Sequence, residues 1–131
     1  MKKITVAAFL STAILFSGNL YAESTSTSLT NQNIQGSWAL EYTKKSEKSK
    51  EKAKREDTWV FDKDTVTIKN ILREGSYYDQ APVNYVIEDG KLKVSILGRT
   101  GKFDNFSVLN KEEKSMTLKA RFGGIYQFIK K

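Results

Sequence analysis

From Gly36 onward, apolar and polar residues alternate with the two-residue period of half-buried strands. Residues 37–43 put Trp38, Leu40 and Tyr42 on one face, and residues 58–62 put Trp59 and Phe61 together. "DKD" at 62–64 reads as a tight turn into residues 65–72, where Val66 and Ile68 alternate with threonines and Lys69. "REGS" at 73–76 breaks the pattern. Pro82, the only proline, cannot donate to a ladder and suits the entrance to a strand carrying Val83, Tyr85 and Ile87. Asp89-Gly90 supplies the positive backbone angles of a type I′ turn, folding that strand onto Leu92, Val94 and Ile96. In residues 102–109, Phe103 and Phe106 fall on opposite faces under strict alternation, which calls for a bulge or one exposed ring. Residues 115–121 align Met116, Leu118 and Ala120, and Gly123-Gly124 leads into a last strand over 125–129.

That pattern predicts eight strands joined mostly by short turns, with no convincing helix between them. Sequential strands with short links pair antiparallel. An eight-stranded up-and-down β-barrel removes both sheet edges and is the favoured all-β architecture. An antiparallel β-sandwich is the competing arrangement, but it needs long crossovers, and none follows Tyr77.

The N-terminal region does not share this pattern. Met1-Lys2-Lys3 precedes an uncharged apolar run at 4–16, and "SGNLYA" ends on the small residue Ala22. This is the layout of a secretory signal over residues 1–22, cleaved before Glu23. A run of 13 residues is short of the ~20 needed to span a bilayer, so no transmembrane segment is expected after cleavage. The expectation is an exported chain, periplasmic or secreted. Residues 23–35 begin "ESTSTSLT" and read as a flexible leader, leaving 36–131 as the barrel domain.

Removing Lys2 and Lys3 lowers the net charge from +7 to +5. With neither cysteine nor histidine, the chain offers no thiolate nucleophile, imidazole base or soft metal site, and no disulfide braces the fold. The paired acids Glu88-Asp89 and Glu112-Glu113 sit beside turn residues, where carboxylates are solvated and keep ordinary pKa values. No catalytic residue, metal site or cofactor is predicted. The chain reads as non-enzymatic.

One link is long. Residues 44–56, "KKSEKSKEKAKRE", hold Lys44, Lys45, Lys48, Lys50, Lys52, Lys54 and Arg55, and a single alanine is their only apolar residue. They read as a mobile basic surface loop or a frayed helix, whose Glu–Lys contacts give only tenths of a kcal/mol each. Nucleic acid is a poor partner for it, because the run contains no interleaved aromatics to stack bases.

Gly36-Ser37-Trp38 is a G-x-W at the start of the first strand, followed by a long first loop and a run of hairpins. This resembles the lipocalins and, more broadly, the calycin superfamily, especially small bacterial exported lipocalin-like domains. The resemblance implies that Gly36 lets the chain turn into the barrel, that Trp38 plugs the closed end, and that an arginine, matched best by Arg121, packs across the indole. The family's middle T-D-Y motif is absent. The residues themselves also give Trp38 the role of a plug, since an indole buries enough apolar area to shut a small barrel.

An eight-stranded barrel has room for side chains or one small ligand. Trp38, Tyr42, Trp59, Phe61, Tyr85, Phe106, Tyr126 and Phe128 would fill much of it, leaving a shallow aromatic cup with Tyr42, Trp59, Tyr77, Tyr78 and Tyr85 near its mouth. The expected function is binding of a small apolar or amphipathic ligand. The alternative is a filled barrel that docks an envelope protein through the basic loop and the Tyr-rich segment, which suits an interface. Attraction of the basic loop to an anionic surface is a third expectation.

Overall fold

A computed structural model describes residues 27–131; the expected signal segment and the first residues of the expected leader lie outside the described residues. The chain runs α1 (Asn31–Ile34), β1 (Gly36–Lys44), β2 (Ala53–Lys54), β3 (Thr58–Asp62), β4 (Thr65–Lys69), β5 (Ile71–Arg73), β6 (Ser76–Tyr78), β7 (Val83–Glu88), β8 (Lys91–Ser95), β9 (Phe103–Lys111), β10 (Ser115–Ala120) and β11 (Ile125–Lys130). Eight of these strands pair in the order β1-β3-β4-β7-β8-β9-β10-β11, and β11 returns to pair with β1. Every ladder is antiparallel. The sheet is a closed up-and-down barrel. Among the described residues no helix is long and apolar enough to cross a membrane.

Closure follows from the local chemistry of the turns. Asp89 and Gly90 both take positive φ, 52° and 73°, as a type I′ hairpin between Glu88 and Lys91 requires. The predicted strand over 65–72 is interrupted. Asn70 takes φ +60°, ending β4, and the chain leaves the barrel as a two-stranded ribbon, β5–β6, turning through Glu74 and Gly75. Asparagine tolerates this conformation, so the alternation in sequence carries on while the backbone changes direction.

Two bulges reset which residues face inward. Leu40 pairs with Phe128 but Tyr42 with Gln127, so Glu41 is an extra residue in β1. After it Thr43, not Tyr42, stands opposite the inward Tyr126. In β9, Leu118 pairs with Val108 and Thr117 with Asn110, leaving Leu109 as the extra residue. The consequence is that Lys111 points inward opposite Met116 and is almost fully buried. Phe106 is buried and Phe103 exposed, so the phenylalanine pair divides between the two faces as alternation demands, while the bulge falls further along the strand.

The closed end is sealed by the segment read from sequence as the tail of a slack leader. Thr30 caps α1 by accepting from the Asn33 N–H, and Asn33 Oδ1 accepts from the Thr30 N–H, a reciprocal capping box. Leu29 and Ile34 are buried in the core beside Trp38 and Leu40. The polar composition of 23–35 masks these two aliphatic anchors, which supply the buried area that a disordered leader lacks. The Trp38 Nε1–H donates to the Ile34 carbonyl at 2.8 Å, locking the helix over the indole.

Candidate functional site

In an up-and-down barrel successive connections alternate between the two ends. The links after β1, β4, β8 and β10 therefore gather at the end away from α1 and Trp38. Here the β4–β7 ladder has only two pairs, Thr65–Asn84 and Val66–Val83. Beyond them β4 stays paired with β3 but has no ladder partner on its β7 side among the described residues, where the Gln80 N–H donates to the Ile68 carbonyl at 2.8 Å. A cavity of about 420 Å³ opens at this place.

Its apolar wall includes Trp59, Ile68, Ile71, Val94, Phe106 and Tyr126, with Ile96 and Leu97 beside them. Trp59 meets Phe106, Tyr126 and Phe128 edge to face, with centroids 5.9, 6.2 and 5.0 Å apart, and Phe106 meets Tyr126 at 5.3 Å. These rings fill the barrel below the cavity and make a rigid floor, the geometry that aromatic quadrupoles favour. The site is a cup, not a deep tunnel. The Trp59 indole is buried, yet its Nε1–H has no partner among the described residues. An unmade bond to a buried donor costs about 1–3 kcal/mol, which sets the upper limit on what an acceptor that reached this N–H would recover.

The polar side of the cup is a built ion pair. Arg55 grips Asp57 with two bonds, Nε to Oδ1 at 3.1 Å and Nη2 to Oδ2 at 2.7 Å, and the aspartate is buried while the guanidinium is about one-third exposed. Gln80, Ser95 and Asp104 complete the polar lining. The ribbon stands at the rim. Ile71 pairs with Tyr78 and both line the cavity, whereas Leu72 pairs with Tyr77 on the ribbon's other face. The ribbon's root is held by Asn70, whose N–H donates to Asp79 Oδ1 (3.0 Å) and whose Nδ2 donates to the Glu56 carbonyl (3.1 Å).

Of the five residues predicted at the mouth, Trp59 and Tyr78 line the cup. Tyr77 stands outside it, 51% exposed, its hydroxyl donating to Glu56 Oε1, and the nearby carboxylate pushes its pKa up. Tyr42 is a correction: the Glu41 bulge turns it to the barrel's outer face, where Lys52 Nζ lies 4.5 Å from its ring centroid. Tyr85 is a second correction. It belongs to the closed end, its hydroxyl accepting from Gln35 Nε2 (2.7 Å) and Asn31 Nδ2 (3.2 Å) and donating to the Lys63 carbonyl (2.6 Å). Burial raises its pKa.

Gly36 and Trp38 stand together at the closed end, but Arg121 does not cross the indole. It follows β10 in an exposed turn, its guanidinium 5.4 Å from the Phe122 ring. The reason is topological. β10 ends at the open rim, whereas a side chain that reaches Trp38 must come from the end of a strand running back toward α1. Lys111 at the end of β9 and Lys130 at the end of β11 do so, their ammonium groups 5.1 and 4.8 Å from the Trp38 ring centroid.

The basic loop divides into three parts. β2 folds Ala53 and Lys54 back onto Thr43 and Tyr42. Glu47 ties the loop to β10 through Lys119 at 2.8 Å, an ion pair that lowers the glutamate's pKa, and Lys44 Nζ donates to the Glu47 carbonyl. Lys45, Lys48, Lys50, Lys52 and Lys54 are exposed, whereas Arg55 turns into the cup. A hollow of about 510 Å³ beneath the loop, bordered by Lys44, Lys45 and Lys52, carries no aromatic residue.

Sequence reasoning missed Asp57, Ile71, Gln80 and Asp104. The signal for Asp57 was present: alternation carried one step back from Trp59 and Phe61 places it inward, and an inward acid near a strand end needs a cation close by.

No sequence-family model and no curated protein matches the chain. Two crystal structures do match its fold. A lipocalin-like protein from Bacteroides uniformis superposes with a TM-score of 0.59 at 17% identity, over 76% of this chain and 99% of that one. An uncharacterized protein from Bacteroides eggerthii superposes with a TM-score of 0.60 at 17% identity, over 74% and 98%. The fold is lipocalin-like. Within this lipocalin-like barrel the plugged end and the cup occupy opposite ends, and the two tryptophans mark them: Trp38 the plug, Trp59 the floor of the cup.

Proposed function

We propose that this protein is an exported, non-enzymatic binding protein that takes a small amphipathic molecule into the open-end cup. The observation that carries the reading is a cavity of about 420 Å³ lined by Trp59, whose buried Nε1–H has no partner among the described residues. That volume falls in the range of ~300–1,000 Å³ typical of small-molecule sites, which are mostly apolar with a few convergent polar groups. The ligand's apolar body lies against Phe106, Tyr126 and Ile71. A hydrogen-bond acceptor on the ligand meets the indole N–H, and a polar tip faces Arg55, Asp57 and Gln80.

Fluorescence titration with 1-anilinonaphthalene-8-sulfonate, followed by displacement with candidate ligands, tests this. Saturable uptake that Tyr126→Ser weakens supports the cup. Uptake that is absent, or unchanged in Tyr126→Ser, refutes it. Native mass spectrometry of protein taken from its own envelope then identifies any retained molecule.

A further inference from the structure

The rim carries a pattern that overlaps the lining of the cup only at Leu97. Leu72, Leu97 and Phe122 are 53, 52 and 91% exposed, one on each of three open-end connections, and Phe103 adds a fourth exposed apolar side chain beside them. Scattered apolar residues are ordinary on a protein surface, but here each has a cation close by in the chain: Leu72 with Arg73, Leu97 with Arg99, Phe103 with Lys102, and Phe122 with Arg121. The connections at 45–57, 70–82, 96–102 and 121–124 together hold ten basic residues against six acidic ones. Those at the plugged end, 63–64, 89–90 and 112–114, hold two basic against four acidic. Charge and exposed apolar area are thus concentrated at one end of the molecule.

We infer that the open rim docks onto the surface of an anionic lipid bilayer. Bulky apolar tips flanked by cations match an interface where acyl chains lie just below a layer of phosphates: the tips enter the boundary and the bases stay at headgroup depth. A protein partner matches less well. Phe103 and Phe122 border one shared hollow, but Leu72 and Leu97 stand on separate connections with a cation beside each, unlike the charge-depleted apolar centre of a stable protein interface. Docking in this orientation turns the mouth of the cup toward the lipid and keeps the plugged end in water. The inference stands apart from ligand uptake, because Leu72, Arg99, Arg121 and Phe122 do not line the cup.

The test is co-sedimentation of the chain from Glu23 to Lys131, which retains every described element, with vesicles of phosphatidylcholine alone or mixed with phosphatidylglycerol. The chain is expected to bind the mixed vesicles and to bind neutral ones at least tenfold more weakly. Leu72→Ser with Phe122→Ser should cut binding at least tenfold, and Arg99→Glu with Arg121→Glu at least thirtyfold, since two surface cations alone are worth roughly that much. The control pair Lys63→Glu with Lys114→Glu, at the plugged end, should stay within about twofold on the same scale. The four rim residues are exposed, so thermal melting should show all variants folded. Absence of binding, equal binding to neutral vesicles, rim variants that match the parent, or a control that falls as far overturns the inference, including where the rim is found to bind a protein instead.

Discussion

Lys130 lies directly across the β1–β11 ladder from Trp38, and its ammonium hangs 4.8 Å from the centroid of the indole while donating to the Gln35 carbonyl. Gly36 fits into the same arrangement. It takes φ +110°, and a β carbon there would stand 2.8 Å from Lys130 Nζ. Gly36→Ala should therefore cost about 1–3 kcal/mol, most of it from the backbone conformation, because the lysine tip can move aside once it gives up the Gln35 bond. Lys130→Ala in that background should recover only a minor part. Urea denaturation of the two single variants and the double variant measures this. Full recovery would mean that crowding alone requires the glycine.

The second lysine on the indole gives a pH signature. Lys111 is buried, and desolvation first, then the neighbouring Lys130 charge, lower its pKa below the ordinary 10.5, with Glu113 opposing. Between the lowered folded value and 10.5 the unfolded chain holds more protons than the native state, so stability rises as pH climbs through that window. Tyr85, with its pKa raised above 10.0, acts in the opposite sense only at higher pH. Lys111→Met should flatten the rise and be at least as stable as the parent at pH 7, since a buried charge is replaced by a chain of similar volume. Denaturation curves between pH 7 and 10 check both statements.

Tyr85 fastens α1 to the turn between β3 and β4 through three bonds. Tyr85→Phe keeps the ring against Phe61, 5.0 Å away between centroids, and removes all three bonds, while Gln35 Nε2 and Asn31 Nδ2 keep their own bonds to the Lys63 carbonyl. The expected cost is about 0.5–1.5 kcal/mol. Hydrogen exchange at the Ile34 amide, bonded to the Thr30 carbonyl, should speed up while β9 and β10 amides change little.

The bulge at Glu41 makes a prediction about binding. Tyr42→Ser alters only the outer face, so probe affinity in the cup should change by less than about twofold. Tyr126→Ser removes one ring of the floor and should weaken it about tenfold or more, the scale of one lost apolar contact cluster. Parallel fluorescence titrations decide. Equal losses would place Tyr42 inside.

Much of the barrel is legible in the sequence because strand alternation and turn chemistry are local. Asp89-Gly90 announces its hairpin, and Trp59, Phe61, Met116 and Leu118 announce their faces. What escapes is set by single residues that shift the period. Glu41 and Leu109 each advance the register by one, exchanging Tyr42 for Thr43 and Asn110 for Lys111, and nothing in their side chains marks them as bulges. The ribbon hides behind Asn70, which interrupts a β pattern without breaking its alternation. The resemblance points to Arg121 because it ends the seventh segment, whereas strand direction decides which end a residue reaches, and the strands that end beside Trp38 bring Lys111 and Lys130. The cup itself depends on the short β4–β7 ladder, a long-range pairing that no local pattern encodes.

The two indole N–H groups offer the most direct test of the account. Trp38 Nε1–H is bonded to the Ile34 carbonyl at the plugged end, and the buried Nε1–H of Trp59, a residue of the cup, has no partner among the described residues. In a two-dimensional 15N–1H spectrum they give separate resonances. Titrating an amphipathic probe that carries a hydrogen-bond acceptor should move the Trp59 indole resonance downfield and saturably, with the Trp38 resonance fixed. A titration that leaves Trp59 in place, or moves Trp38 instead, contradicts a ligand site at the open end.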